Sequence, residues 1–207
     1  ERNARLLTEA FMYRHNPQTK RLVELVAEGA VGELRLVRSA FSYSLYDAEN
    51  IRLRADVEGG SLMDVGCYCV SGSRLLAGEP ESVFGQAYIG PSGTDWVFAG
   101  AMRFPGDVFA QFDCGTCLPE RDELEAIGTE GSLVLDDPWH CRNPVIELRR
   151  DRGVERVVRV DVGRKRGMAG PRGLHDPGCL NGERQLVGVA AGSPGAAPAG
   201  RGGAARR

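Results

Sequence analysis

Two hydrophobic periods run along this chain, and one gives way to the other near residue 80. In the first stretch apolar positions recur at helical spacing. Leu22, Leu25 and Val26 form the stripe of a helix that Asn16-Pro17 can start, with Asn as cap and Pro at the first helical position, and that Gly29 can end. Residues 61–77 predict a second helix, entered through Gly59-Gly60, capped by Ser61 and stopped at Gly78-Glu79-Pro80. Ahead of the first helix, residues 6–12 are short, apolar and free of proline, the pattern of a buried strand. Residues 33–43 predict a long strand with Leu34, Leu36 and Ala40 on one face and Val37, Phe41 and Tyr43 on the other. Arg and Ser interrupt both faces, so core is not expected on each side of the sheet.

Beyond Pro80 the period falls to two. Residues 82–89, 95–104, 107–114, 123–128, 132–135, 145–149 and 154–160 all predict strands. Trp96, Phe98, Met102 and Phe104 alternate on one face, and Pro105-Gly106 supplies a turn, which makes 95–114 a hairpin. Two helices followed by a run of strands predict an α+β fold: an open, mostly antiparallel sheet with helices on one face.

Residues 163–207 break the pattern. They hold twelve of the 28 glycines, no aromatic residue, and eight Lys/Arg against Asp176 and Glu183. Too little apolar surface is present to offset the entropy of ordering, so this tail is expected to be disordered, and its composition resembles a GC-rich stretch read out of frame. The chain therefore divides into residues 1–16 as a last strand and junction of a preceding domain, residues 17–162 as the α+β domain, and residues 163–207 as tail.

Composition narrows the function classes. A net charge of −2 over 207 residues gives no basis for binding nucleic acid or an anionic membrane. No apolar run approaches the ~20 residues of a membrane span. The chain opens Glu1-Arg2-Asn3 without an initiator Met or an apolar leader, so the natural start is expected upstream and the compartment is expected to be the cytoplasm. Reduced thiols are then the expectation for the six cysteines. Cys114-Gly-Thr-Cys117 has redox spacing but sits at a strand end rather than a helix start, and Cys67 and Cys69 fit it poorly as a zinc set. The cysteines read as small buried hydrophobes.

The helix from Ser61 carries the candidate chemistry. Asp64 and Tyr68 are four apart and share one helical face, and a carboxylate beside a phenol at a helix start is a plausible proton-transfer pair. Two structural alternatives stand beside this. Ser61-Leu62-Met63-Asp64 also fits the Ser-x-x-acid capping pattern, and Tyr68 also fits a core position with its hydroxyl tied off.

Four segments in order then carry a resemblance: Glu9-Ala10-Phe11-Met12-Tyr13-Arg14-His15-Asn16-Pro17, Glu28-Gly29-Ala30-Val31-Gly32-Glu33-Leu34, Gly59-Gly60-Ser61-Leu62-Met63-Asp64-Val65-Gly66-Cys67-Tyr68, and Gly128-Thr129-Glu130-Gly131-Ser132-Leu133. Over residues 5–160 the chain resembles the C-terminal domain of the Gfo/Idh/MocA oxidoreductases, in the branch of glucose–fructose oxidoreductase and dimeric dihydrodiol dehydrogenase. The resemblance implies a partner Rossmann domain that binds NAD or NADP, hydride transfer to or from a sugar, polyol or diol, and a homo-oligomer paired through the open sheet. The family's Asp-x-Gly-x-His/Tyr motif falls on Asp64 to Tyr68. It implies that Tyr68 exchanges the proton of the reacting hydroxyl and that Asp64 orients the substrate or the catalytic set. It further implies that Phe41 faces the substrate pocket and that Met12 and Arg14 lie near the nicotinamide.

Three departures bound the expectation. No Gly-x-Gly-x-x-Gly follows a strand, so the Rossmann domain is absent and the cofactor's glycine loop with it. No Glu-Lys-Pro is present to place a lysine beside the phenol, since Lys20 and Lys165 are the only lysines. The family's last helix is replaced by the glycine-rich tail. The chain is thus expected to hold half an active site and to be inactive alone. The alternative from another class is a non-catalytic sugar-binding or dimerisation domain. His15, His140 and His175 show no acidic partner at ligand spacing, so no metal is expected.

Overall fold

A computed structural model describes residues 8–47, 49–151 and 153–161 in full and the backbone of 185–191. Its architecture is the predicted one: a single open sheet, antiparallel at every pairing but one, with the helices on one face. After a 3₁₀ turn at Met12–His15 come α1 (Pro17–Ala27), β1 (Leu34–Ser44), and α2 (Cys67–Ala77), which is entered through a π turn at Leu62–Gly66. The strands β2 (Ser82–Ile89), β3 (Asp95–Phe104), β4 (Val108–Gly115), β5 (Cys117–Gly128), β6 (Ser132–Asp136), β7 (Val145–Arg150), β8 (Gly153–Arg159) and β9 (Gln185–Ala191) complete it. In space they run β8-β7-β6-β5-β1-β4-β3-β2-β9, with β1 and β4 as the parallel pair.

Local chemistry explains the helix ends. The Asn16 side chain accepts from the Gln18 backbone N–H at 2.9 Å, with Pro17 at the first helical position. Gly29, just past the end of α1, adopts φ +75, a left-handed conformation that costs a residue without Cβ little. Ser61 is a correction. Its hydroxyl does not cap the second helix but donates to Asp95, whose carboxylate also accepts the Leu62 N–H at 2.7 Å. The cap comes from β3 rather than from the adjacent chain.

The core lies under the helices, where Val37, Phe41, Met102, Phe104, Ala110, Phe112 and Cys114 meet Val65 and Cys69. The other face carries Arg38 opposite Glu125, Ala40 opposite Glu123, and an Arg121–Asp113 pair at 2.7 Å.

Three further differences have physical causes. Residues 8–11 are not a strand, and among the described residues no strand pairs with them; residues 6–7 fall outside the described residues. β5 starts at Cys117 rather than 123, running through Pro119. Proline is tolerated there because the β1–β5 register is irregular between Ser42 and Ser44, where both serine hydroxyls bond to the Pro119 and Leu118 carbonyls. In the tail, the backbone of 185–191 pairs antiparallel along β2 from Ile89↔Gln185 to Val83↔Ala191. The remaining tail residues lie outside the described ones. Among the described residues no helix is long and apolar enough to cross a membrane.

Candidate active site

The C-terminal half of β1 organises the site. Phe41 and Tyr43 project from it towards α2, two residues apart. The start of the second helix presents Asp64 and Tyr68 to that strand. The Tyr43 hydroxyl donates to the Asp64 carboxylate, and the Tyr68 ring packs edge-on against Phe41, centroids 5.4 Å apart. The i,i+4 spacing of the helix thus meets the i,i+2 spacing of the strand. Asp64 lies in the π turn at Leu62–Gly66 and Tyr68 in the first turn of α2 that follows it.

Two glycine positions make this approach possible. A Cβ on Gly66 would stand 2.7 Å from the Cys114 sulfur, so the helix can sit this close to β4 only with glycine between Asp64 and Tyr68. A Cβ on Gly59 would stand 2.6 Å from the Arg52 carbonyl oxygen. Gly60, at φ +128, donates its N–H to that same carbonyl at 2.8 Å. The glycine pair therefore clamps the 50–60 loop onto the helix start and brings Arg52 Nε to 2.8 Å from Asp64. Asp64 is thereby held by Arg52 and Tyr43; it does not close a helix N-terminus. Burial, then the bond to Asp64, raises the Tyr43 phenol's pKa.

Tyr68 is half-buried in a ring of aromatics: Phe11 at 5.2 Å, Phe41 at 5.4 Å, Tyr13 at 5.9 Å and Trp139 at 6.2 Å. Unlike the Tyr13 hydroxyl, which donates to Ser71 at 2.8 Å, the Tyr68 hydroxyl makes no hydrogen bond among the described residues. Burial, then Cys67 and the Asp64 charge, raises its pKa above the ordinary phenol value. The thiols are also pushed up by burial, Cys67 to about 11 and Cys114 to about 12, the opposite of an activated redox cysteine.

Of the remaining predicted residues, Phe41 sits at the centre, only 8% exposed. Arg14 lines a shallow groove with Phe11, Leu62, Met63 and Cys67, beside the Tyr68 cluster rather than in it. Met12 is 69% exposed.

The expectation for His140 needs correcting. It does have acidic partners. Its Nδ1 lies 2.5 Å from Asp122 and 3.6 Å from Asp137. Asp122 stands directly across from Phe41 in the β1–β5 register, 6% exposed, and also accepts the Trp139 N–H at 3.0 Å. Asp137, at φ +81, accepts from the Arg142 and Asn143 backbone N–H groups and the Arg142 guanidinium. The His140 ring in turn packs edge-on against Phe41 at 5.4 Å. Asp122, then Asp137, holds the imidazole protonated, its pKa up to about 9. Burial pushes the Asp122 carboxyl up, and the bonds from His140 and Arg142 hold Asp137 low against its own burial. The ligand atoms of Asp122, Asp137 and His140 lie within 4.8 Å of one another, so the trio could hold a metal ion; without one, His140 and Asp122 are joined directly by a hydrogen bond.

Arg52, Tyr43, Asp122 and His140 were missed from sequence. Only Asp137-x-x-His140 was locally visible, as an acid and a histidine three apart.

The profile of the GFO/IDH/MocA C-terminal domain matches residues 19–134. The chain is 39% identical over 129 residues to D-xylose 1-dehydrogenase (NADP(+)) 2 of Haloferax volcanii, covering 61% of this chain and 39% of that protein. It is 30% identical over 147 residues to human trans-1,2-dihydrobenzene-1,2-diol dehydrogenase, covering 69% and 43%. In structure it shares the fold of aldose-aldose oxidoreductase from Caulobacter crescentus, solved with glycerol, at TM-score 0.70 and 19% identity over 79% of this chain and 50% of that one. The chain spans less than half the length of these two sequence relatives.

Proposed function

From the premise that the chain belongs to the GFO/IDH/MocA oxidoreductase family as its C-terminal domain, we propose that it is the substrate-side half of an oxidoreductase that moves hydride between NAD or NADP and one carbon of a sugar, polyol or diol. The observation that carries this reading is the delivery of Asp64 and Tyr68 from one helix start onto β1, with the Tyr68 hydroxyl left without a hydrogen-bond partner among the described residues. An unpartnered phenol at the mouth of an aromatic cluster is available to a substrate hydroxyl.

In this reading Tyr68 takes or gives the proton of the reacting hydroxyl. Its pKa, raised by burial, must fall for that exchange, and a cation beside it in the complete enzyme would lower it. Asp64, fixed by Arg52 and Tyr43, orients the substrate or the catalytic set, and Phe41 forms the floor. The described residues fit only the reactive end of a nicotinamide cofactor. The 63%-exposed Met63 offers apolar surface in the groove that Arg14 lines, and Met12 is exposed two positions before Arg14 in the chain, while the glycine loop for the pyrophosphate is not in this sequence. When bound, the cofactor supplies the hydride chemistry. The open face, polar and crossed by Arg38, Glu125 and the Arg121–Asp113 pair, is where a second copy of the chain would pair, in a cytoplasmic homo-oligomer. Residues 1–16 then belong with the cofactor domain and 17–162 form the substrate domain.

The test joins this chain to a nicotinamide-binding domain and follows NADP⁺ reduction with D-xylose and related sugars and diols. Turnover by the joined protein, with no NADPH binding by the chain alone, is the expected result. Micromolar binding of NADPH by the chain alone, read by fluorescence, would contradict the division of labour.

A further inference from the structure

Outside the Asp64–Tyr68 pair, the most organised polar cluster is the one around His140, and it lies on the same floor. Tyr68 and His140 each stand 5.4 Å from the Phe41 ring, both nearly perpendicular to it. The two rings are therefore within twice that distance of one another, a span that a monosaccharide bridges with its ring and hydroxyl arms.

The cluster fixes the histidine and leaves one edge free. Nδ1 points inward to buried Asp122, which β5 places opposite Phe41. The Trp139 side chain pins the same loop, its Nε1 donating to the Ala40 carbonyl of β1 at 3.0 Å while its ring rests where a Cβ on Gly72 of α2 would intrude. The imidazole is nonetheless 44% exposed. Nε2 lies on the edge opposite Nδ1 and has no hydrogen-bond partner among the described residues. A ring held this way presents one N–H donor in a fixed direction.

The charges around it select the kind of oxygen it can meet. Asp122 and Asp137 face His140 from β5 and from its own loop, and Arg142 faces Asp137. Arg142 is further paired with Glu120 at 3.0 Å. The imidazolium is thus neutralised by its own neighbours, so the cluster offers direction rather than net positive charge. That suits a neutral hydroxyl oxygen better than a phosphate or carboxylate.

We propose that His140 is a substrate-binding and specificity-determining residue whose Nε2–H donates to a distal hydroxyl oxygen of an uncharged sugar while the reacting carbon lies at Tyr68. This rests on the reading of Tyr68 as the reacting centre. The sugar then crosses the edge of Phe41, with one polar anchor on each side.

The test is a titration of the ¹⁵N-labelled chain with D-xylose, following the imidazole nitrogens of its histidines. The expected result is a saturable shift at the Nε2 of His140, with His15 and His175 unmoved. His140→Phe should weaken binding at least tenfold, and His140→Gln, which keeps a donor, should restore part of it; thermal melts of both variants confirm folding. No shift at His140, or unchanged affinity in both variants, would overturn the proposal. In the protein joined to its cofactor domain, His140→Gln should raise KM with kcat nearly unchanged, the signature of uniform binding. A fall in kcat at constant KM would also overturn it. If Tyr68→Phe leaves turnover intact, the reading of the reacting centre fails while the His140 titration still reports on its own.

Discussion

Phe41 has two polar neighbours of different origin. On one side the helix start brings Tyr68, and with it Asp64, from a single contiguous motif. On the other, Asp122 and His140 come from a strand and a loop that meet only when β5 is in register with β1. The first group is held by glycines and by an exposed arginine, the second by buried carboxylates and backbone N–H groups. Under the proposed function, a site assembled from both could vary its binding contacts in the loop while the proposed proton-exchange group stays fixed to the helix.

The comparison can be broken most strongly from the loop side. Asp122→Ala removes a buried carboxylate that serves His140 and the Trp139 N–H, leaving the Trp139 N–H unpaired and His140 with Asp137 as its remaining acidic partner. A loss of about 3 kcal/mol in urea unfolding is expected. Gly66→Ala acts on the helix side. The added methyl meets Cys114, so the helix must lift from β4, and about 2 kcal/mol is expected by the same measurement, with weaker Tyr68–Phe41 packing.

A smaller effect sharpens the contrast through pH. His140 is raised to about 9 in the folded chain, above its ordinary value near ~6.5. Its contribution is therefore fully present below about 6.5 and is lost as pH rises through about 9. Because the ring is 44% exposed, solvent screening reduces that contribution to roughly 1 kcal/mol. Melting temperature followed from pH 6 to 10 should fall across this window in the parent chain and stay flatter in His140→Gln. Smallest is Arg52→Ala, whose half-exposed pairing with Asp64 is expected to change stability by under ~1 kcal/mol. In the joined enzyme it should lower kcat/KM more than it lowers stability, because Asp64 loses its orientation.

The helix start was legible because its information is local. A glycine pair, a Ser, and an acid and phenol four apart can be read without knowing the sheet. The strands from residue 82 onwards were legible for the same reason, since alternation is a nearest-neighbour signal. What could not be read depends on pairing. The cap at Leu62 comes from Asp95 on β3, the acidic partner of His140 comes from β5, and Pro119 stays within a strand only because β1 is irregular beside it. The strand at 185–191 was hidden in the same way, its ladder supplied by β2 against an unfavourable composition around it. For the site, this meant that the sequence brought out Tyr68, Asp64 and Phe41, which the fold places together, while the Asp122–His140 side went unseen.

The most direct measurement is turnover by Tyr68→Phe in the chain joined to a nicotinamide-binding domain, with cofactor affinity measured alongside. The substitution removes one hydroxyl that has no partner among the described residues, so folding and cofactor binding should be unchanged. Loss of proton exchange should lower kcat by about 10² to 10⁴. Turnover within a few-fold of the parent would show Tyr68 to be a core aromatic and would contradict the account.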